Sequence, residues 1–329
     1  MEHLIEVGAG LRAAEAVRLA SQGASLLWRD DFAAARRLLA AMRKRLPDRT
    51  ADFYRYRQSR RNRARVLGKL LVEVGADLRI DLPRAPETRA AIQAAGGRPG
   101  LVPLTTVLGM LSAHQWRLTG VPVEALGARI HPHYGVFPPT RQEYVSLVAR
   151  APLARVRTAF DIGTGTGVLA AVLARRGVPA VVATDVSPAA VTCARENLAR
   201  LGLDRVRVLP AELFPPGRAD LLVCNPPWLP GAAHSPLDAA VFDPGSRMLS
   251  GFLAGAAAHL TDGGEAWLVL SDLAELLGLR TRADLAAHFT AAGLTVAGRL
   301  DIRPAPRTGT DPLSRARSRE VVSLWRLRR

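Results

Sequence analysis

The sequence predicts an α/β protein: a parallel sheet with helices on both faces and antiparallel strands at one edge, preceded by a smaller, mostly helical domain. Three observations lead there. After residue 155 the apolar runs "TAFDIG", "AVVATD", "RVRVLPA", "ADLLVCNPP" and "EAWLVLS" are separated by helical or turn-rich segments, and such alternation builds a parallel sheet. Two late runs, "GLTVAGRLD" and "EVVSLWRL", have only an irregular loop between them, which suits an antiparallel pair at an edge. Glycines, acids and prolines fall at the ends of the early runs, beyond the carboxyl ends of the strands, where such sheets hold ligands.

The elements ahead of the sheet read as helices. Asp30 and Asp31 are placed to cap "FAAARRLLAAMRKRL", in which Phe32, Leu38, Leu39, Met42 and Leu46 recur at helical spacing. "PETRAAIQAAGG" opens on proline and closes on glycines, and "LTTVLGMLSAHQW" reads as a buried helix. Segment 119–140, "TGVPVEALGARIHPHYGVFPPT", is rich in Pro and Gly and marks a joint. The expected division is therefore a helical, basic domain over 1–120 acting as substrate domain or lid, a linker and pre-motif segment over 121–150, and a catalytic domain over 151–329.

Composition sets limits. A chain of 329 residues with 48% hydrophobic content is long enough for two domains with cores. No apolar run approaches the roughly 18 residues of a membrane span, and "MEHLIEVGAG" lacks the pattern of a signal peptide, so a cytoplasmic protein without membrane partners is expected. Cys193 and Cys224 give neither a disulfide framework nor zinc spacing; Cys224 reads as a core residue. His131 and His133 have no third ligand at useful spacing, so no metal is expected. The net charge is +16, and all but Lys44 and Lys69 of the 45 cations are arginine. Residues 1–150 hold 24 basic and 13 acidic residues, net +11, against 21 and 16, net +5, for 151–329. Within 42–69, eleven cations face only Asp48 and Asp52, and Tyr54 and Tyr56 alternate with Arg55 and Arg57, a pattern suited to phosphate contact with base stacking. Its alternative is a solvated helix face.

The chemistry lies at the strand ends. "DIGTGTG" carries glycines at 163, 165 and 167, which allow a tight turn and close approach of a ligand. A phosphate loop would need Gly-Lys-Ser/Thr, and a dinucleotide fingerprint a small residue where Val168 stands. Asp185 ends the next strand, 22 residues beyond Gly163, the usual distance for a carboxylate that accepts ribose hydroxyls. Glu212 follows the third strand, where it would meet an exocyclic amine of adenine. After the fourth comes Asn225-Pro226-Pro227-Trp228. Two prolines end the ladder and turn carbonyls out of the sheet, leaving amide and carbonyl acceptors beside an indole.

In this order the features resemble a class I S-adenosylmethionine-dependent methyltransferase, with its Rossmann-like, seven-stranded sheet. More narrowly, residues 156–329 are similar to the group with (Asn/Asp)-Pro-Pro-aromatic after the fourth strand. Its members methylate glutamine side chains of release factors, guanine N2 of ribosomal RNA, or bases in nucleic acids. The resemblance implies that Gly163, Thr164, Gly165 and Gly167 cradle the methionine part of S-adenosyl-L-methionine, with Asp161 near its amino group. It implies Asp185 at the ribose, Glu212 and Leu213 at the adenine, and Asn225, Pro226 and Trp228 at the target, Asn225 also touching the cofactor. Two acceptors, Asn225 Oδ1 and the Pro226 carbonyl, would favour a pyramidal target nitrogen, and Trp228 would offer a flat face to a planar amide or base. Pro139, Thr140, Arg141 and Glu143 match the Pro-Arg-x-x-Thr-Glu element of the glutamine enzymes only in part, whereas Gly135-Val136-Phe137 fits the Gly-Val-Phe-Ser of the guanine enzymes. Phe137, Thr140, Arg141, His234 and Arg247 are the expected substrate contacts. An RNA or protein substrate follows, with RNA held through 42–69; small-molecule biosynthesis, including conversion of the cofactor itself, and an inactive binding module are the alternatives.

Overall fold

The computed structural model describes residues 3–46, 52–153, 155–233, 238, 240–305 and 309–329. The chain forms two compact units, Met1–Leu118 and Thr119–Arg329.

The first unit is built on a sheet that the sequence reading did not anticipate. Strands β1 (Leu4–Val7), β2 (Ser25–Trp28) and β3 (Leu70–Val74) run parallel, and β4 (Gly100–Pro103) closes antiparallel on β3. The "mostly helical" domain is thus itself α/β. Its strands are four or five residues long and set among helix-favouring neighbours, so periodicity alone does not separate them from helix turns. Asp31 caps helix Phe32–Arg45 by accepting from the Ala34 N–H at 2.8 Å. Phe32, Leu38, Leu39 and Met42 are its buried stripe. Helix Phe53–Leu67 is capped by Asp52 and carries six arginines. Strand β1 ends in Gly8-Ala9-Gly10, and the Ala9 N–H donates to Asp30 Oδ2 at 3.1 Å beyond β2.

The second unit begins earlier than expected, because segment 121–150 belongs to it rather than forming a linker. Strands β5 (Val121–Val123) and β6 (Ala128–Ile130) make a hairpin, and helix Glu143–Arg150 buries Tyr144, Val145, Leu147 and Val148 in the core. The main sheet contains β7 (Thr158–Ile162), β8 (Ala180–Asp185), β9 (Arg207–Pro210) and β10 (Ala219–Cys224). After a small pair, β11 (Leu229–Pro230) and β12 (Phe242–Asp243), come β13 (Leu260–Ser271), β14 (Thr295–Ile302) and β15 (Val322–Arg328). The seven strands lie in the order β14-β15-β13-β10-β7-β8-β9. Those from β13 to β9 are parallel, and β15 runs antiparallel to both its neighbours.

Strand periodicity explains the two cores. Alternate side chains point to opposite faces: Leu221, Val223, Trp267 and Val269 join one cluster with helices Val168–Arg175 and Pro188–Arg200. Leu222, Cys224, Leu268 and Leu270 join the other with helices Arg247–His259 and Arg282–Ala291. Both faces being covered, the central strands read as unbroken apolar runs. The chain leaves β7 toward β8 and returns on its other side as β10, so β7 and β10 flank the switch point beyond which such sheets bind ligands.

Candidate active site

The glycine turn after β7 is set by backbone geometry. Gly163, Gly165 and Gly167 have φ of 73°, 55° and 82°, left-handed values that glycine adopts without steric penalty. Gly163 and Thr164 N–H groups donate to the Thr184 carbonyl at 2.9 and 2.8 Å, and Gly165 N–H to Asp185 Oδ2 at 2.9 Å. A Cβ on Gly163 would lie 2.3 Å from Met248 Cε, and one on Gly167 3.2 Å from Ala194. The loop therefore exposes backbone where a side chain would stand. Asp161 is placed differently from the resemblance. Its carboxylate is 1% exposed and accepts from the Thr164 hydroxyl at 2.6 Å and the Ala170 N–H at 2.9 Å. It braces the loop from below instead of forming a cavity wall. Burial pushes its carboxyl up to about 6, against the lowering effect of those two donors.

Two adjoining cavities open over this turn. One, of about 320 Å³, is lined by Gly163, Thr164, Phe137, Tyr144, Asn225 and Met248 among others. The second, of about 390 Å³, is lined by Ala211, Glu212, Leu213, Asp243, Arg247 and Gly251 among others. Gly163, Asp185, Val186 and Met248 border both. Asp185 holds the rim rigidly, since Oδ1 accepts from the Ser187 N–H at 2.9 Å while Oδ2 accepts from Gly165. A molecule lying across both cavities presents its middle to Asp185, one end to the glycine turn and the other to Glu212. An amino-acid part, a ribose and an adenine in that order fit these residues. Leu213 adopts φ 64°, its carbonyl accepting from the Thr184 hydroxyl at 2.5 Å. Arg247 was expected at the substrate and instead lines the Glu212 cavity, because the helix it opens is turned by Asp243. That buried carboxylate accepts from the Met248 N–H at 2.9 Å and the Leu249 N–H at 3.1 Å. Asp243 and Met248 were missed by the sequence reading, which named only Arg247 from this region.

At the end of β10, Pro226 is buried, and Asn225 and Trp228 are half-buried. The Trp228 indole N–H donates to Asn225 Oδ1 at 2.8 Å. The Arg141 guanidinium lies over the indole, 4.9 Å from the ring centroid. These contacts correct two expectations. Trp228 does not offer that face to a substrate, because Arg141 covers it. Arg141 reaches the site as a paired cation and not a free one, because Glu320 takes its two terminal nitrogens at 3.2 and 3.0 Å and Glu143 its Nε at 3.4 Å. A small cavity of about 60 Å³ remains, lined by Phe137, Arg141, Tyr144, Asn225, Pro226 and Trp228 among others. It shares Phe137, Tyr144 and Asn225 with the 320 Å³ cavity, so Asn225 stands where the two meet. Burial pushes the Tyr144 phenol upward. Thr140 and Arg141 also line a cavity of about 470 Å³ with Arg150 and Glu320. His234 lies outside the described residues. Cys224 is buried, which raises its thiol. His133 Nε2 lies 2.9 Å from Glu196, and among the described residues no group of three or more His, Cys, Asp or Glu could hold a metal.

A doubly covered sheet with a left-handed glycine turn, a rim carboxylate and Asn-Pro-Pro-Trp after its first, second and fourth strands is the arrangement of a class I S-adenosylmethionine-dependent methyltransferase domain. The chain belongs to the methyltransferase small domain family, whose model matches residues 127–292, just over half its length. It is 35% identical over 196 residues to a release factor glutamine methyltransferase of Deinococcus radiodurans, covering 55% of this chain and 66% of that protein. It is 36% identical over 139 residues to one of Cereibacter sphaeroides, covering 38% of this chain and 50% of that protein. Over 70 residues it is 43% identical to a ribosomal protein L11 methyltransferase of Clostridium perfringens, covering 21% of this chain and 22% of that protein. The chain thus spans no more than 66% of the length of these relatives.

Proposed function

We propose that the chain methylates the side-chain amide nitrogen of a glutamine in a protein of the translation apparatus. The observation that carries this reading is the size of the pocket beside Asn225. At about 60 Å³ it is far smaller than the adjoining cavities of about 320 and 390 Å³, which suits a small planar carboxamide head better than a flipped purine. The covering of Trp228 by Arg141 points the same way, since it removes a stacking face for a base. The relatives' substrates, a release factor and a ribosomal protein by their names, support a protein target and do not favour the small-molecule alternative.

S-adenosylmethionine, held along Gly163–Gly167, Asp185 and Glu212, supplies a methyl group already activated on a sulfonium. The residues of the chain then work by alignment. Asn225 Oδ1 and the Pro226 carbonyl accept the two N–H bonds of the target amide, turning its lone pair toward the 320 Å³ cavity. The cofactor would supply the methyl group as an electrophile and keep the electron pair that held it, and the proton shed by the target nitrogen would pass to water. Phe137, Tyr144 and Pro226 form part of the wall of the small pocket around the transfer.

A second reading, RNA as the target or as part of the docking surface, rests on helix Phe53–Leu67, where Arg55, Arg60, Arg61 and Arg65 and the ring of Tyr54 are exposed. Tyr56 does not contribute a stacking face: it is buried, with its ring 6.2 Å from that of Phe53. The two readings separate when the full chain is incubated with methyl-labelled cofactor and cell lysate, then treated with protease or ribonuclease. Label released by protease and recovered on glutamine supports the proposal; label released by ribonuclease overturns it.

A further inference from the structure

Glu320 and Arg141 lie outside the cofactor cavities, yet a chain of contacts runs from them to the target-holding amide. The Glu320 side chain is 1% exposed just ahead of β15. Its carboxylate accepts both terminal Arg141 nitrogens and, at 2.6 Å, the hydroxyl of Ser271 at the end of β13. Arg141, held also by Glu143, lies over Trp228 with its guanidinium carbon 4.9 Å from the ring centroid. The indole N–H, 2.8 Å from Asn225 Oδ1, is a donor with no acceptor capacity. It therefore determines which end of the Asn225 carboxamide faces it: a flipped amide would set two donors against each other.

We propose that Glu320, Arg141 and Trp228 are positioning residues that lock the Asn225 carboxamide with its oxygen toward the indole, leaving the second lone pair of Oδ1 for the target N–H. The inference rests on the proposed amide chemistry for its purpose, whereas the lock itself is a property of the chain without substrate. Phenylalanine at 228 would keep the ring and lose the lock. Breaking a buried ion pair from one side leaves an uncompensated charge, while replacing both partners does not, so the paired exchange Arg141→Met/Glu320→Met accompanies Glu320→Gln.

The test uses the 15N-labelled full chain, whose five tryptophans give five indole N–H signals, the one lost in Trp228→Phe being Trp228. Asn225→Ala should move that signal. Glu320→Gln and the paired exchange should speed its hydrogen exchange at least tenfold while the other four signals hold. In the same variants and in Trp228→Phe, cofactor affinity by calorimetry should stay within twofold and the rate of lysate labelling should fall at least tenfold. A Trp228 signal indifferent to the Glu320 variants overturns the lock. A signal that responds while labelling continues at the wild-type rate overturns its positioning role. Label found in RNA instead of protein would remove the glutamine assignment and leave the indole result standing.

Discussion

The chain contains two glycine turns that look alike in sequence and differ in structure. Each follows a strand that pairs in parallel with the next: Gly8-Ala9-Gly10 after β1, and Gly163 to Gly167 after β7. In each a helix begins five residues after the first glycine, at Ala13 and at Val168, and an aspartate stands 22 residues after it, Asp30 and Asp185. In each that aspartate accepts a loop N–H, from Ala9 at 3.1 Å and from Gly165 at 2.9 Å. Yet neither Gly8 nor Gly10 has a positive φ, Arg12 stands where the second turn has Gly167, and added Cβ atoms meet nothing nearer than 3.6 Å. The second turn is left-handed at all three glycines and borders two cavities. Spacing of glycine and acid thus produces a braced strand–helix turn; the left-handed glycines make it a cradle.

The sharpest way to break this contrast is a matched pair of alanines. Gly163→Ala, strained in φ and driven into Met248, should weaken cofactor binding at least ~100-fold, while Gly8→Ala should leave calorimetric affinity unchanged. Equal losses would mean that the first turn also serves the cofactor. Next in size, Asp185→Ala should cost about 1.5–3 kcal/mol of affinity, the worth of a hydrogen bond to a charged group. Asp30→Ala should instead cost about 1 kcal/mol of folding stability and no affinity; an Asp185 variant that binds within twofold of wild type would remove the ribose assignment.

Asp161 and Glu6 stand two residues before the first glycine of their turns and sharpen the comparison through pH. Glu6 is exposed and pairs with Arg29 at 2.9 Å. Asp161 is buried, and its folded-state carboxyl is pushed up to about 6 from about 4 when unfolded. In that window the folded chain binds more protons than the unfolded one, so this group makes stability fall as pH rises from about 4 to about 6 and adds no slope above. Asp161→Asn should remove that slope in urea titrations, with Glu6→Gln as the control that keeps it. An unchanged slope in the asparagine variant would show that Thr164 and Ala170 already hold the charged form. The smallest effect is expected at Gly10, where φ is ordinary and the space open: alanine there should shift stability by no more than about 0.5 kcal/mol.

What could be read from the sequence follows from how local its causes are. The strands of the main sheet announce themselves because burial on both faces makes apolar runs, and glycine, acid and proline mark their ends for reasons internal to each turn. The first unit's sheet stayed hidden because β2 is the four residues Ser25–Trp28 between helices. Tyr54 and Tyr56 were paired by alternation, yet residues two apart on a helix point about 200° apart, so one faces solvent and the other Phe53. The Arg141–Glu320 pair joins residues 179 apart in sequence, and no local pattern encodes such a partner. Without it, Trp228 reads as a stacking surface; with it, the indole is a brace.

The burial of both cysteines has a practical side. Cys193 and Cys224 are fully enclosed and so out of reach of alkylating reagents, and burial also raises the Cys224 thiol, which weakens it as a nucleophile. The wild-type chain is thus a silent background for maleimide chemistry. Val186, 74% exposed on the rim shared by both cavities, offers a place for one added cysteine. A dye attached through Val186→Cys would sit at the mouth of the site and turn ligand occupancy into a fluorescence signal, with no native residue to remove first.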